Sequence, residues 1–106
     1  MPVPYGKKAT PPLEGENSKR FQKDWDRLLK SGRYDMGRFK ETMLLILAND
    51  GPLPAEYNDH QLTGKLAEFR ECHVGGNFLL MYQVVMVDKL WGAVFFARAG
   101  THSELF

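Results

Sequence analysis

Hydrophobic positions in the first half of the chain recur at the spacing of an α-helix. The first such segment begins at Ser18, and its apolar positions are Phe21, Trp25, Leu28 and Leu29. Asn17 or Ser18 can cap its start, and Gly32 can end it in a left-handed conformation. The pattern therefore predicts an amphipathic helix over residues 18–31.

A second helical segment follows after a short loop. Residues 36–49 carry an apolar stripe formed by Phe39, Met43, Ile46 and Leu47. Asp35 is the candidate cap, and Gly51-Pro52 would stop the helix. Two amphipathic helices joined by a loop of a few residues predict a helical hairpin.

The second half of the chain changes to the pattern of a β-sheet. Residues 52–60 are typical of a loop, because their prolines exclude helix and Asn-Asp favours turns. Three runs rich in Phe, Val, Leu and Tyr follow at residues 68–74, 78–87 and 91–99, with links of only two or three residues. Links this short join antiparallel neighbours. We therefore expect an α+β domain, with the two-helix hairpin packed on one face of a small antiparallel sheet.

The first 17 residues differ in composition from the rest. They hold four of the six prolines and show little hydrophobic periodicity. We expect residues 1–17 to form an extended or mobile arm, and residues 18–106 to form a single domain. A chain of 106 residues is long enough to bury a core without disulfides or metal.

Composition indicates the cellular compartment of the protein more clearly than the kind of molecule that it binds. The single cysteine excludes an intramolecular disulfide and suits a reducing cytosol. We find no signal peptide and no apolar run of about 18 residues, so we expect a cytoplasmic protein without a membrane segment. The net charge is +1, from ten basic against seven acidic residues in 1–50 (+3) and four against six in 51–106 (−2). This asymmetry is too mild to indicate nucleic-acid binding by itself.

One face of the first predicted helix is nevertheless locally basic. Its cations recur at about one helical turn and are Lys19, Arg20, Lys23, Arg27 and Lys30. A run of this kind is usually a solvated face, and it could also contact RNA. The residues alone leave both interpretations open.

All three histidines, His60, His73 and His102, lie in the second half of the chain. Imidazole can both accept and donate a proton near neutral pH, so a convergence of the three would indicate acid–base chemistry. In a meander, His73 and the segment that leads to His102 lie at the same end of the sheet, and we expect them to approach each other. Arg70 would lie on the opposite face of a regular strand from His73, unless a bulge or bend intervenes.

Two other interpretations of the histidines stay open. Each of them taken alone is more often a turn or surface residue. Three imidazoles can also hold zinc, although the close His spacings of known metal motifs are missing. Cys72 adjoins His73 and would point to the other face of the strand, as a buried small hydrophobe rather than a nucleophile.

Several motifs together carry a family resemblance. They are Asp-His-Gln-Leu-Thr-Gly, Phe-Arg-Glu-Cys-His-Val, Phe-Leu-Leu-Met-Tyr and Ala-Gly-Thr-His-Ser-Glu-Leu-Phe, in this order after the basic helix. Over about residues 18–106 the chain closely resembles the YafQ branch of the RelE superfamily of bacterial toxins. The resemblance implies a RelE-like fold and a ribosome-dependent endoribonuclease of a type II toxin–antitoxin module. Such toxins cut messenger RNA in the ribosomal A site and are silenced by a cognate antitoxin.

The resemblance also implies roles for individual residues. His102 would be the general acid, His73 or His60 the base, and Arg70 would steady the phosphate. The residues expected to contact RNA are Phe106, Phe78, Asn77, Lys65, Lys19, Lys23 and Arg27. Asn77-Phe78 stands where related toxins have Asp-Trp, and an asparagine cannot act as a general base.

The partners implied are a cognate antitoxin, the ribosome and messenger RNA. The resemblance implies no cofactor, no metal, no membrane and no dedicated small-molecule ligand. The alternative is a catalytically weakened or inactive homologue that binds an antitoxin or the ribosome. Asn77 and the low net charge are the features that favour this alternative.

Overall fold

The computed structural model describes residues 13–49, 51–86 and 92–106. In chain order these residues form β1 (Glu14–Asn17), α1 (Lys19–Ser31), α2 (Met36–Ala48), β2 (His60–Gln61), β3 (Arg70–Gly75), β4 (Phe78–Met86), β5 (Gly92–Thr101) and α3 (His102–Leu105). Single 3₁₀ turns at Ala55–Tyr57 and Gly64–Leu66 lie between α2 and β3. The predicted α+β class is confirmed.

Both predicted helices are present, with the predicted caps. The Ser18 hydroxyl accepts a hydrogen bond of 2.9 Å from the Phe21 N–H, and Gly32 ends α1 in the left-handed region at φ 68°. Asp35 caps α2 by accepting from the Arg38 N–H at 2.9 Å. Of the helices in the described residues, none has the length and hydropathy to cross a membrane.

The buried face of α1 differs from the predicted stripe at two positions. Leu29 is 54% exposed, whereas the carboxylate residue Asp24 is only 4% exposed and lies in line with Phe21 and Leu28. Hydrophobic periodicity could not predict a buried acid, because a buried charge depends on partners elsewhere in the fold. The partners of Asp24 are Arg98 and Ala99 of β5 and Arg27 of the same helix.

The strands form one sheet in the order β1-β5-β4-β3-β2. The predicted meander is confirmed, since β4 is antiparallel to both β3 and β5. The link between β4 and β5, where two of the predicted strands end at 87 and begin at 91, lies outside the described residues. His60, expected in a loop, lies in β2 and pairs with Glu71 of β3.

The prediction of an arm is wrong for residues 14–17. These residues form β1, which pairs in parallel with residues 93–96 of β5. Leu13 before the strand is buried, and its N–H donates to the Leu47 carbonyl at 2.7 Å. Gly15 packs so closely that a Cβ would lie 3.2 Å from Leu47 Cδ2. Residues 1–12 of the expected arm lie outside the described residues.

One face of the sheet shares a hydrophobic core with the helices. The sheet contributes alternate residues of β3, β4 and β5, which are Cys72, Val74, Phe78, Leu80, Tyr82, Val84, Val94, Phe96 and Ala99. The helices contribute Phe21, Leu28, Phe39 and Ile46, with Met43 and Leu47 at the margin. The helical hairpin therefore packs on one face of the sheet, as predicted.

The alternate residues of the same strands form the opposite face. Two rows of paired positions cross it, His60–Glu71–Met81 and His73–Leu79–Gly100. Because side chains alternate along a strand, Glu71, His73, Leu79 and Met81 point away from the helices, and His60 lies beside Glu71. We call this surface, formed by His60, Glu71, His73, Leu79 and Met81, the histidine face.

The cap at Ser18 gives a test of the first helix. Its hydroxyl both accepts from the Phe21 N–H and donates to the Ala97 carbonyl at 2.7 Å, so it joins α1 to β5. We predict that Ser18→Ala lowers the free energy of unfolding by about 1–2 kcal/mol. Urea denaturation measures this change. Thr63→Ala is the matched control, because Thr63 is an exposed N-cap without a side-chain capping bond. Equal stability of Ser18→Ala and the wild type would contradict the prediction.

Candidate active site

His60 and His73 meet on the histidine face. Their ring centroids are 6.4 Å apart. The contact follows from register, because His60 pairs with Glu71, and His73 lies two residues further along the same side of β3. Two of the three histidines therefore lie close together on one face of the sheet.

The surroundings of His60 are rich in oxygen atoms. Its Nδ1 lies 2.7 Å from the Asn58 carbonyl oxygen, and its Nε2 lies 3.6 Å from Glu71 Oε1. A carbonyl only accepts, so Nδ1 carries a proton. The carboxylate of Glu71 is 7% exposed and faces the other nitrogen. This arrangement orients the ring.

His73 is held differently. Its Nδ1 lies 3.3 Å from the carbonyl oxygen of Gly76, in the turn between β3 and β4. The pairing of β3 with β4 shifts register between His73 and Gly75, and Gly76 has φ 56°, so the turn curls back under the imidazole. With the proton on Nδ1, Nε2 carries the lone pair and can accept a proton.

His102 lies at the same end of the sheet as His73, as predicted. His73, Leu79 and Gly100 form one row across three strands, which spans about 10 Å at the usual strand spacing. His102 follows two residues after Gly100, as the first residue of α3, and its side chain is exposed. Its ring centroid is 5.1 Å from that of Phe106, which is 50% exposed.

The structure does not bring Arg70 to the histidines. The register of β3 is regular from Arg70 to His73, so Arg70 shares the core-side face with Cys72. Its guanidinium donates to Asp59 Oδ2 at 3.0 Å, and Asp59 Oδ1 accepts from the Tyr82 hydroxyl at 2.7 Å. Burial lowers the pKa of Arg70, but the hydrogen bond and charge of Asp59 outweigh it and raise the pKa overall. Sequence motifs could not predict this ion pair with a loop residue.

Cys72 is buried in the core, and burial raises the pKa of its thiol, with further increase from the charges of Asp59 and Glu71. A thiol in this state is a poor nucleophile. The expectation of a small buried hydrophobe agrees with this position.

Phe78 does not offer its ring for stacking on a nucleobase, as the resemblance implied. It is 4% exposed and packs between Tyr34, at a centroid distance of 4.6 Å, and Phe39, at 5.1 Å. The expectation is wrong because the loop between α1 and α2 folds over the end of β4. Asn77, its neighbour in the turn, is exposed.

The cations expected to contact RNA fall into two groups. Lys19 and Lys23 on α1 and Lys65 in the second 3₁₀ turn are exposed. Arg27 instead contacts two carboxylates, Asp24 at 3.3 Å and Glu104 at 3.5 Å. Its guanidinium is therefore part of the framework that supports the end of β5.

Asp24 is the centre of that framework. Its buried carboxylate accepts from Arg98 Nε at 2.7 Å and from the Ala99 N–H at 3.0 Å, in addition to Arg27. The hydrogen bond that Arg98 donates to Asp24 is the main cause of the raised pKa of Arg98. One carboxylate of α1 thus fixes the backbone and a side chain of β5 just before Gly100.

The turn that carries His102 is tied to the same framework. Glu104 Oε1 accepts from the Thr101 N–H at 2.8 Å in a capping box, and Glu104 Oε2 lies 3.5 Å from Arg27. The Thr101 N–H is the main cause of the lowered pKa of Glu104, so this anchoring is present at neutral pH and weakens in acid. Gly100 is required here, because its φ is 154° and a Cβ would lie 2.7 Å from Glu104 Oε1.

Metal ligands are not grouped in the part of the chain that the structure describes. No three His, Cys, Asp or Glu side chains there are arranged to hold an ion. The contacts described above involve nitrogen and oxygen atoms of the chain itself.

Comparison with known proteins shows the family of the chain. Residues 13–106 match the family model of the bacterial toxin of type II toxin–antitoxin system, YafQ. The chain belongs to the YafQ family of toxins. Its sequence is 38% identical to the mRNA interferase toxin YafQ of Escherichia coli (strain K12) over 91 residues, 86% of this chain and 92% of that protein. The resemblance carried by the motifs is thereby confirmed.

Solved structures agree with this membership. The crystal structure of YafQ from E. coli strain BL21(DE3) superposes with a TM-score of 0.75 at 36% identity, over 89% of this chain and 98% of that chain. YafQ in the E. coli DinJ–YafQ toxin–antitoxin complex gives 0.73 at 37% identity, over 89% and 97%. The YafQ-family match begins at Leu13, so it includes β1.

The buried carboxylate of α1 can be tested directly. We predict that Asp24→Asn lowers the free energy of unfolding by about 3 kcal/mol, because the Asn amide leaves the charge of Arg98 uncompensated. Chemical denaturation measures the change. Asp26→Asn, on the exposed side of the same helix, is the control and should have little effect. Similar losses in the two variants would contradict the role given to Asp24.

Proposed function

We propose that this YafQ-family chain is the toxin of a type II module and acts as an mRNA interferase, an endoribonuclease that cuts messenger RNA in the ribosomal A site. One observation carries the proposal: His60 and His73 meet on one face, and the turn bearing His102 lies at the same end of the sheet. The E. coli relative named mRNA interferase supports the reaction class. The cytoplasm is where ribosomes and messages would meet it.

The reaction that suits this site uses the RNA as its own nucleophile. A base takes the proton of a 2′-hydroxyl, and the oxygen attacks the adjacent phosphorus to form a 2′,3′-cyclic phosphate. The bond from phosphorus to the 5′ oxygen breaks, and an acid gives that oxygen a proton. Negative charge grows on the phosphate in between, so a cation stabilises the transition state. The chain's own imidazoles can fill all three roles.

His73 is the base in this proposal. The Gly76 carbonyl accepts from Nδ1, so Nε2 carries the lone pair that takes the proton. A positioned general base contributes roughly 10²- to 10⁴-fold to a rate.

His60 is the cation next to the phosphate. The Asn58 carbonyl oxygen lies 2.7 Å from its Nδ1 and Glu71 Oε1 lies 3.6 Å from its Nε2, and these two contacts fix the ring on the histidine face. This role replaces the one expected for Arg70, whose guanidinium contacts Asp59 on the other face.

His102 is the general acid, and Phe106 offers a surface for a base. His102 is exposed at the start of α3, and the exposed ring of Phe106 lies beside it. Asp24, Arg27 and Glu104 hold this turn against α1, which fixes the acid relative to the sheet.

A cognate antitoxin is the proposed protein partner. The solved DinJ–YafQ complex shows that the E. coli relative assembles with an antitoxin. The exposed lysines Lys19, Lys23 and Lys65 are cations that an antitoxin carboxylate or ribosomal RNA could contact.

Removal of the acid is the first test. We predict that His102→Ala abolishes growth arrest and lowers message cleavage on translating ribosomes by roughly 10²-fold or more. Primer extension on a translated message measures cleavage, and circular dichroism checks the fold. Ser103→Ala, an exposed neighbour in the same turn, is the control. Full cleavage by His102→Ala would remove it from the mechanism, and no arrest by the wild type would favour the inactive homologue.

The division between base and cation gives a second test. We predict that His60→Lys, which keeps a positive charge beside Glu71, retains more cleavage than His60→Gln by about 10-fold or more. His73→Lys and His73→Gln should both abolish cleavage, because neither an ammonium nor an amide can act as the base. Single-turnover rates on programmed ribosomes measure the four variants. Better rescue by Lys at His73 than at His60 would reverse the assignment.

A further inference from the structure

A cleft lies beside the histidine face, between the loop joining α1 to α2 and the turn joining β3 to β4. Its cavity has a volume of about 190 Å³, and its border includes Arg33, Tyr34, Gly75, Gly76 and Asn77. Asp35 also borders the cavity, and its carboxylate accepts from the Arg38 N–H as the cap of α2. We call this cavity the Tyr34 cleft. Gly76 belongs to both places, because its carbonyl holds His73 Nδ1. A strand of RNA leaving His73 would therefore reach this cleft next.

The inner wall of the cleft is a fixed stack of aromatic rings. Tyr34 lies on Phe78 at a centroid distance of 4.6 Å with an interplanar angle of 31°, and Phe78 lies on Phe39 at 5.1 Å. The two inner rings are buried, whereas Tyr34 is half-buried. Tyr34 is thus the outermost ring of a rigid stack, which is the surface that unpaired bases use in proteins that bind single strands.

The rim of the cleft carries groups suited to a nucleotide. Arg33 is exposed, and its Cζ lies 5.9 Å from the centre of the Tyr34 ring. The second arginine, Arg38, contacts the Val74 carbonyl and Glu56 and forms part of the wall. Arg33 is therefore the arginine that suits a phosphate of the nucleotide. Asn77 is exposed on the opposite rim, and its amide can donate to and accept from a base edge.

The shape of the cleft favours one flat group over a larger ligand. Its volume is below the range of about 300 Å³ and upward that holds drug-sized molecules. On the side of the turn, Gly75 and Gly76 present bare backbone, and no atom lies within 4 Å of an added Cβ at either position. A sugar–phosphate chain can approach such a backbone closely.

We propose that the Tyr34 cleft binds one unpaired nucleotide of the RNA, adjacent to the nucleotide that reacts at the histidine face. Tyr34 stacks on the base, Arg33 pairs with its phosphate, and Asn77 contacts the base edge. This gives Tyr34 the stacking role that buried Phe78 cannot fill, and it gives Asn77 a role that needs no carboxylate. The proposal rests on the proposed function, since it concerns the same RNA.

The test uses the full chain with His102→Ala, so that RNA is bound without being cut. Ribosomes are programmed with messages that carry 2-aminopurine at one position at a time around the A site. Stacking quenches this fluorophore, and we expect quenching at a single position next to the reacting nucleotide. Tyr34→Leu should abolish the quenching there and weaken toxin binding by roughly 5- to 100-fold. Tyr34→Phe, which keeps the ring, should retain the quenching.

Arg33→Gln gives an independent readout at an exposed position. The loss of one phosphate contact should lower the slope of log Kd against log salt concentration by about 0.7. This measurement stands even if Tyr34→Leu fails to fold, which circular dichroism would show. An unchanged slope together with unchanged quenching would overturn the proposal.

Other outcomes separate this inference from the proposed function. No cleavage by the wild type would contradict the proposed function, and cleavage by the wild type with full quenching in Tyr34→Leu would contradict the cleft alone. Loss of quenching in Tyr34→Phe as well would exclude ring stacking. If Tyr34→Leu weakens antitoxin binding and leaves RNA binding intact, the cleft is a protein-binding surface and the proposal is wrong.

Discussion

The buried carboxylate of Asp24 is the contact on which the arrangement of this toxin depends. It accepts hydrogen bonds from the backbone and a side chain of β5 and from Arg27 on its own helix. A carboxylate at 4% exposure is stable only while these donors stay in place, because an unpaired buried charge is costly. Two of these donors, Arg98 and Ala99, lie just before Gly100 and the turn with His102. The contact that packs the first helix on the sheet therefore also positions the turn that carries His102.

The two faces of the sheet have different roles, since one packs against the helices and the other carries the histidines. The helix side is filled with aromatic and aliphatic side chains, and its Arg70–Asp59–Tyr82 network stabilises the sheet there. The histidine face carries the groups that can move protons. Because alternate residues of a strand point to opposite faces, Arg70 and His73 can lie three residues apart and still belong to different sites.

Local signals predicted much of the fold and less of the site. Ser18 and Gly32 mark the ends of α1, and short links force the meander, so those elements could be predicted from neighbouring residues. The strand β1 could not, because Glu14 pairs with Ala93 far along the chain and its four residues lack alternation. Strand order predicted that His73 and His102 lie at the same end of the sheet, whereas His60 was expected in a loop and was selected by the family resemblance. The burial of Phe78 could not, since it depends on a loop from another part of the chain.

The parallel pairing of β1 with β5 has a consequence for synthesis of the toxin. The first strand in the chain order can complete its hydrogen bonds only after the last strand has been made. Pairs so distant in sequence form late in folding, because the intervening chain must first be ordered. Arg98 and Ala99, which donate hydrogen bonds to Asp24, lie on the same strand, β5. A ribosome that is still translating β5 therefore holds a chain in which β1 has no partner strand and the turn bearing His102 has not yet been made.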